Sequence, residues 1–595
     1  MLRAPFALIW NFLKILLHGI KLFFFWLGHI LTRKKRKWIR VKLTPRQAFG
    51  PAVGLAAYFQ DKRSFLELRE DIQILADDPR IEGVIVTADS LATGPARTAD
   101  LRALIDQLRT GGKSIVFHTH SITGRDYELA CAADHVLMTP GGRLYLFGQR
   151  FDQYFAAPLL ERLGVAAQFV HIGPFKAAAH RFIKAEGTPP LRLMMGQLLD
   201  SLSTIREETL IKSRSLSALS LEDTFSRMPL DDRQALVRNL IDARIQRPLV
   251  DRWIKEGADF QDTIPPRAID PAEESEEEKL RNDAPNIAVT TAKDYLSSHP
   301  GSFHWTPLFR RPPSIVTMDL SGMIVMPDME IPGQSAATID PQEVLPVLLS
   351  LARDRRVGAV VLHINSPGGS ALASELLWDG IRRLRRQKPT IAYCSDVAAS
   401  GGYYMAVAAD RIICQPNSIT GSIGVIAGKF AFPGALEKLG IANESFQRHE
   451  TGLFESLAEP LSEKVLDNLR YDARSFYRQF LRRVGEARQL PRRRLHRYAR
   501  GRVYSGVDAH RRHLVDHLGG FDDAVELART MAELPDSAEL SYRPHRKVNF
   551  PALLRKSAAT TLLPEPINEL RFLHALAKHD PMLALMPFRL QDLET

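Results

Sequence analysis

Three short stretches of this chain carry residue types suited to acyl transfer: "NSPGGS" (365–370), "AASGG" (398–402) and "TGSIG" (420–424). A serine hydroxyl attacks a carbonyl only with a base to take its proton and donors to hold the oxyanion that forms. Ser400 stands among alanines and glycines, which leave room for a substrate and bare backbone N–H groups beside the hydroxyl. Gly368 and Gly369 in the first stretch, and Gly401 directly after the serine, are the candidate oxyanion donors. Ser366 and Ser370 are rival nucleophiles, but both fall inside the loop expected to cradle substrate, and Ser366 reads as a loop-fixing hydroxyl. Packing is the competing explanation, since "SPGG" alone is a tight turn and small residues let a helix start close against a strand. The two stretches together favour chemistry. A histidine base is unsupported: none lies between Ser400 and His449, and His363 sits in an apolar run as a core histidine would. A lysine is the alternative, as in Ser–Lys enzymes.

The elements that must position these groups read as strands and helices in alternation. "VGAVVLHI" (357–364) is a buried strand, "ASELLWDGIRRLRRQ" (373–387) an amphipathic helix, "TIAYCSD" (390–396) a second strand, and "GGYYMAVAAD" (401–410) a helix opening at Ser400. Such alternation argues for a mostly parallel sheet covered by helices, with ligands at the carboxyl ends of the strands. Both glycine-rich stretches fall there.

The pattern occurs twice. "GKSIVFHTHSITGRDYELACAADHVLMTP" (112–140) aligns with "QKPTIAYCSDVAASGGYYMAVAADRIICQP" (387–416), and "LERLGV" (160–165) with "LEKLGI" (436–441). The chain therefore reads as two versions of one α/β module, 45–260 and 313–530. Between them, 261–312 is a linker containing "DPAEESEEEKLRND", too acidic to bury, and 531–595 is a tail of unassigned role.

"INSPGGS", then "ASGGYYMAVAAD", then "TGSIGV" in that order resemble the signal peptide peptidase A family, in its long duplicated form, over residues 45–530. The resemblance implies tandem modules related in fold to ClpP and crotonase, a membrane-bound serine endopeptidase with a Ser–Lys dyad, and hydrophobic peptide substrates such as cleaved signal peptides. It implies a homotetramer at the bacterial inner membrane, and neither metal nor cofactor. In the family a "G-x-[YF]-K" motif of the first module carries the base, and "GPFK" (173–176) matches it, so Lys176 inherits that role. The family's Glu-Pro continuation is replaced here by "AAAHRF" (177–182). Ser422 inherits the part of a hydroxyl that orients the lysine. Lys184 is the rival base, with Lys429 and Lys438 next in line.

The duplication adds an argument of its own. Ser400 aligns with Gly124, and Lys176 with Gly452. One copy holds a nucleophile without a base and the other a base without a nucleophile, which points to one shared site. The lysine must be neutral to act, and deprotonating one of ordinary pKa at pH 7 costs about 4.6 kcal/mol. Burial beside apolar neighbours supplies a shift of that size.

Composition narrows the class. Three cysteines (Cys131, Cys394, Cys414), each in an apolar run, cannot make a disulfide framework. The net charge of +11 is concentrated at "RKKRK" (33–37), "RRLRR" (382–386) and "PRRRLHR" (491–497). The last two read as solvated helix faces, so no nucleic-acid partner is expected. The first follows the apolar stretch 5–31, and 1–40 reads as a membrane anchor with a basic flank. Lys14 and Lys21 within it would each cost about 2.5–3.5 kcal/mol at a bilayer centre. A helix lying in the interface therefore competes evenly with one that spans. A catalytically inactive membrane scaffold and a crotonase-type acyl-CoA enzyme are the alternative functions; the latter would use carboxylates at the site, and a Ser–Lys pair has no role in it.

Overall fold

The computed structural model describes Phe12 and residues 37–45, 48–51, 63–88, 91, 93–256, 288–299, 313–326, 338–545 and 582–586. Apart from Phe12, the apolar stretch 5–31 lies outside the described residues, as does most of the acidic linker. Among the described residues no helix is long and apolar enough to cross a membrane.

The chain forms two compact units. One comprises Met1–Gly148 with Thr204–Arg311, the other Gln149–Ser203 with Pro312–Thr595. The boundary differs from that of the repeat, because residues 149–203 belong to the second unit. The cause is a strand pairing: Ala166–Ile172 runs antiparallel to Val425–Ala431, in register from Ile172↔Val425 to Ala166↔Ala431.

In the first unit a parallel sheet takes the order 288–291, 37–43, 81–88, 114–119, 135–138, 243–244. In the second unit the main sheet runs 503–505, 419–421, 390–399, 357–366, 314–321, 540–542. Its inner strands are parallel, and only 503–505 is antiparallel to its neighbour. Thr390–Ala399 is buried at every position, as a strand covered on both faces must be. Strand 540–542 extends this unit beyond residue 530, where the sequence repeat ends.

Helix Ala371–Arg385 shows how the sequence builds the cover. Ser370 caps it by accepting from the Ala373 N–H at 3.1 Å. Ala373, Leu377, Trp378, Ile381 and Leu384 recur at three- and four-residue steps and are buried. The arginines of its last turn face outward, where they complement the helix dipole. Arg492–Arg494 are likewise exposed on a helix that buries Leu495.

Duplication is visible in buried hydrogen bonds. Tyr127 Oη donates to the Leu240 carbonyl at 2.6 Å, and Tyr403 Oη to the Leu514 carbonyl at 2.7 Å. Asp242 holds Arg214 and accepts the Val136 N–H, while Asp516 holds Arg488 and accepts the Ile412 N–H. Each aspartate thus satisfies a partly buried carboxylate and ties a strand to a helix in its own unit. All three cysteines are free and buried.

Candidate active site

Ser400 sits where strand Thr390–Ala399 gives way to helix Gly401–Ala406, with φ 57° and ψ −112°. Positive φ is uncommon outside glycine and is held only when the surroundings over-determine it. Two backbone bonds do so: the Ser400 N–H donates to the Gly421 carbonyl at 2.8 Å, and the Ser400 carbonyl accepts from the Tyr404 N–H at 2.8 Å. The small residues after it answer to close approach. A Cβ on Gly401 would lie 2.6 Å from Ser374 Oγ and 3.1 Å from Gly368 Cα, and one on Gly402 2.5 Å from the Ser366 carbonyl oxygen. The glycine loop therefore lies directly against the serine turn, and Gly368 and Gly401 are neighbours. Gly369 is placed in the second sheet of this unit, in register with Ile324 on one side and Ala584 on the other.

Lys176 is fully buried, and its Nζ lies 2.7 Å from Ser400 Oγ, 2.9 Å from the Ser422 carbonyl oxygen and 3.0 Å from Ser422 Oγ. Burial holds its pKa well below the ordinary lysine value. The approach of strand Ala166–Ile172 to Val425–Ala431 brings it there, and glycines make room. A Cβ on Gly501 would stand 2.4 Å from the Lys176 backbone nitrogen, and one on Gly424 3.0 Å from Lys176 Cδ. Ser422 has φ 53° and donates its N–H to the Arg502 carbonyl at 2.7 Å, which fixes the oxygen atoms that face the lysine.

A neutral lysine has two N–H groups and one lone pair. The Ser422 carbonyl can only accept, and Ser422 Oγ can accept, so in that form both N–H groups would have partners and the lone pair would be left for the Ser400 hydroxyl. Ser422→Ala removes one of these partners. The variant is expected to keep its fold and to lose about 10–100-fold in kcat, with KM little changed, in steady-state hydrolysis of a peptide substrate.

Other serines and lysines have structural work. Ser366 Oγ accepts from the Gly368 N–H at 3.2 Å, and Ser370 caps a helix. His363 is buried with Nδ1 2.7 Å from Asp319 Oδ1. Lys184 and Lys438 are exposed. Lys429, its pKa pushed down to about 8 by burial, donates to the carbonyls of Leu453, Ser456 and Glu459. In the first unit the turn at Gly124 is filled: a Cβ there would lie 2.4 Å from Arg206 Nη2, and Arg206 pairs with Glu128 at 2.7 Å.

The model of the Peptidase family S49 matches residues 107–260 and again 382–535. The chain belongs to peptidase family S49. It is a serine peptidase with duplicated S49 domains, and the Clp protease model matches residues 323–432 within the second unit. It is similar to the chloroplastic serine protease SPPA of Arabidopsis thaliana, 29% identical over 485 residues that cover 81% of this chain and 68% of that protein. Protease 4 of Haemophilus influenzae is 27% identical over 476 residues, 77% of this chain and 72% of that one. Protease 4 of Salmonella typhi is 25% identical over 484 residues, 80% and 73%.

Two elements beside the candidate site carried no recognisable sequence signal. Gly501 and Arg502 support Lys176 and Ser422 from 325 and 80 positions further along the chain, and only a positive φ at Gly501 marks the spot. The tail strand Met582–Leu585 reads in sequence as a short apolar run after Pro581.

Proposed function

We propose that the protein is a membrane-associated endopeptidase in which Ser400 is the nucleophile and Lys176 the general base, acting on hydrophobic peptides such as cleaved signal peptides. The observation that carries this reading is the 2.7 Å approach of a fully buried lysine to a strained serine. Neutral Lys176 takes the Ser400 proton as Oγ bonds to the scissile carbonyl carbon. The N–H of Gly401 is the expected donor to the oxyanion, with Gly368, whose N–H meets Ser366 Oγ in this structure, and Gly369 as the other candidates. The lysine returns the proton to the leaving amine, and water then hydrolyses the acyl-enzyme with the same base. This chemistry draws on neither metal nor cofactor.

Apolar surroundings favour apolar side chains in substrate: Ala177, Leu191, Met194, Val397, Ala399 and Val503 share one buried cluster beside the dyad. The sequence of 5–31 with its basic flank supports residence at a membrane surface, in keeping with a bacterial inner-membrane enzyme. Exposed Leu159, Leu163, Leu439, Ile441 and Phe446 support a homo-oligomer, for which a tetramer is the expectation.

A fluorophosphonate probe tests the assignment. It should label the intact protein stoichiometrically, and peptide mapping should place the adduct on Ser400. Labelling that persists in Ser400→Ala, or maps to another serine, overturns it.

A further inference from the structure

The second sheet of the second unit contains a slot. The glycine strand Gly368–Ser370 and the strand Val425–Ala431 do not pair with each other; both pair with Met582–Leu585, which lies between them and antiparallel to both. Leu585, Ala584 and Leu583 stand opposite Gly368, Gly369 and Ser370, while Leu583 and Met582 stand opposite Ile426 and Ala427. Adjacent strands lie about 4.8 Å apart, so the slot is one strand wide.

Its walls begin at the dyad. Gly368 abuts Gly401, next to Ser400, and Val425 follows Ser422 by three residues. The tail reaches that end: the Met586 N–H donates to the Pro367 carbonyl at 3.0 Å. Met586 is buried in one cluster with Ala177, Val397 and Ala399, the sequence neighbours of the catalytic pair. Leu583 is fully buried in another, with Leu160, Phe182, Ile426 and Phe430.

An extended peptide binding an exposed strand edge gains backbone hydrogen bonds from the edge and specificity from side-chain pockets. The tail segment does both, on both walls, at the end where a scissile carbonyl would meet Ser400. We infer that residues 582–586 are an intramolecular competitor of substrate, so that the enzyme works only when its own tail strand leaves the slot. This rests on the Ser400–Lys176 reading. A slot one strand wide holds the tail or a substrate, never both. If the tail fills it nine-tenths of the time, substrate KM is raised about tenfold with kcat unchanged.

The test compares the full chain with a form ending at residue 581 and with a full-length Leu583→Asp/Met586→Asp variant, which places carboxylates in the two apolar pockets. Both should lower KM on an unstructured apolar peptide by about tenfold and speed fluorophosphonate labelling of Ser400. A synthetic peptide of residues 580–590 should inhibit the truncated form competitively. Unchanged or higher KM with unchanged or slower labelling, while Ser400 is still the labelled residue, overturns the inference and makes the strand a fixed part of the sheet. Absence of labelling at Ser400 in every form would instead overturn the dyad reading, and the tail inference with it.

Discussion

Replacing Ser400 with alanine is expected to lower kcat on peptide substrates by about 10⁴–10⁶-fold, the range seen when a nucleophile is removed from a serine hydrolase. The loss should come without unfolding, because the turn is held by the backbone bonds to Gly421 and Tyr404, which an alanine keeps. The strain offers a second readout. Alanine inherits the φ of 57°, whereas glycine adopts it freely. Ser400→Gly should therefore be equally inactive yet more stable than Ser400→Ala by about 1 kcal/mol in denaturant titration. Equal stability of the two would mean that the turn relaxes when the hydroxyl is gone. Activity above about 1% in either variant would move the nucleophile elsewhere.

Lys176→Ala is expected to inactivate as fully as Ser400→Ala, and the double variant should be no slower than either, because in the proposed mechanism both groups act in one proton transfer and such losses do not add. Lys176→Arg should also fail, since a guanidinium does not give up its proton at any usable pH. In the wild type, activity should rise along an alkaline limb as Lys176 deprotonates. Because burial lowers its pKa, that limb should lie well below the value near 10.4 of a free lysine. The same shift bears on stability. Between the lowered folded pKa and the ordinary unfolded one, the unfolded chain binds the extra proton, so Lys176 destabilises the fold at neutral pH and the penalty fades as pH rises. Lys176→Met should abolish activity and raise Tm, by a margin that shrinks between pH 7 and pH 10. A Tm that falls, or a margin independent of pH, would show that the lysine is not held neutral by burial.

Much of this site was legible in one dimension because its constraints are local. "AASGG" demands small residues since helix, strand and glycine loop converge within a few ångströms of Ser400, and "SPGG" needs backbone that no side chain obstructs. Strand and helix periodicity set the parallel α/β class, and self-alignment revealed the duplication, with Gly124 in the place of Ser400. Lys176 was legible only through a family motif, since nothing in its own surroundings marks a lysine as a base. Its proximity to a serine 224 positions away follows from the pairing of Ala166–Ile172 with Val425–Ala431, and its lowered pKa follows from the burial that this pairing completes. The same pairing moves residues 149–203 out of the unit that the repeat had assigned them to. The tail strand is the extreme case: four residues carry no periodicity, and only the two strand edges that they pair with give them a structure. Backbone geometry and packing size are written residue by residue into the sequence. Which distant strand meets which, and what is thereby shut away from water, is decided by the folded chain as a whole.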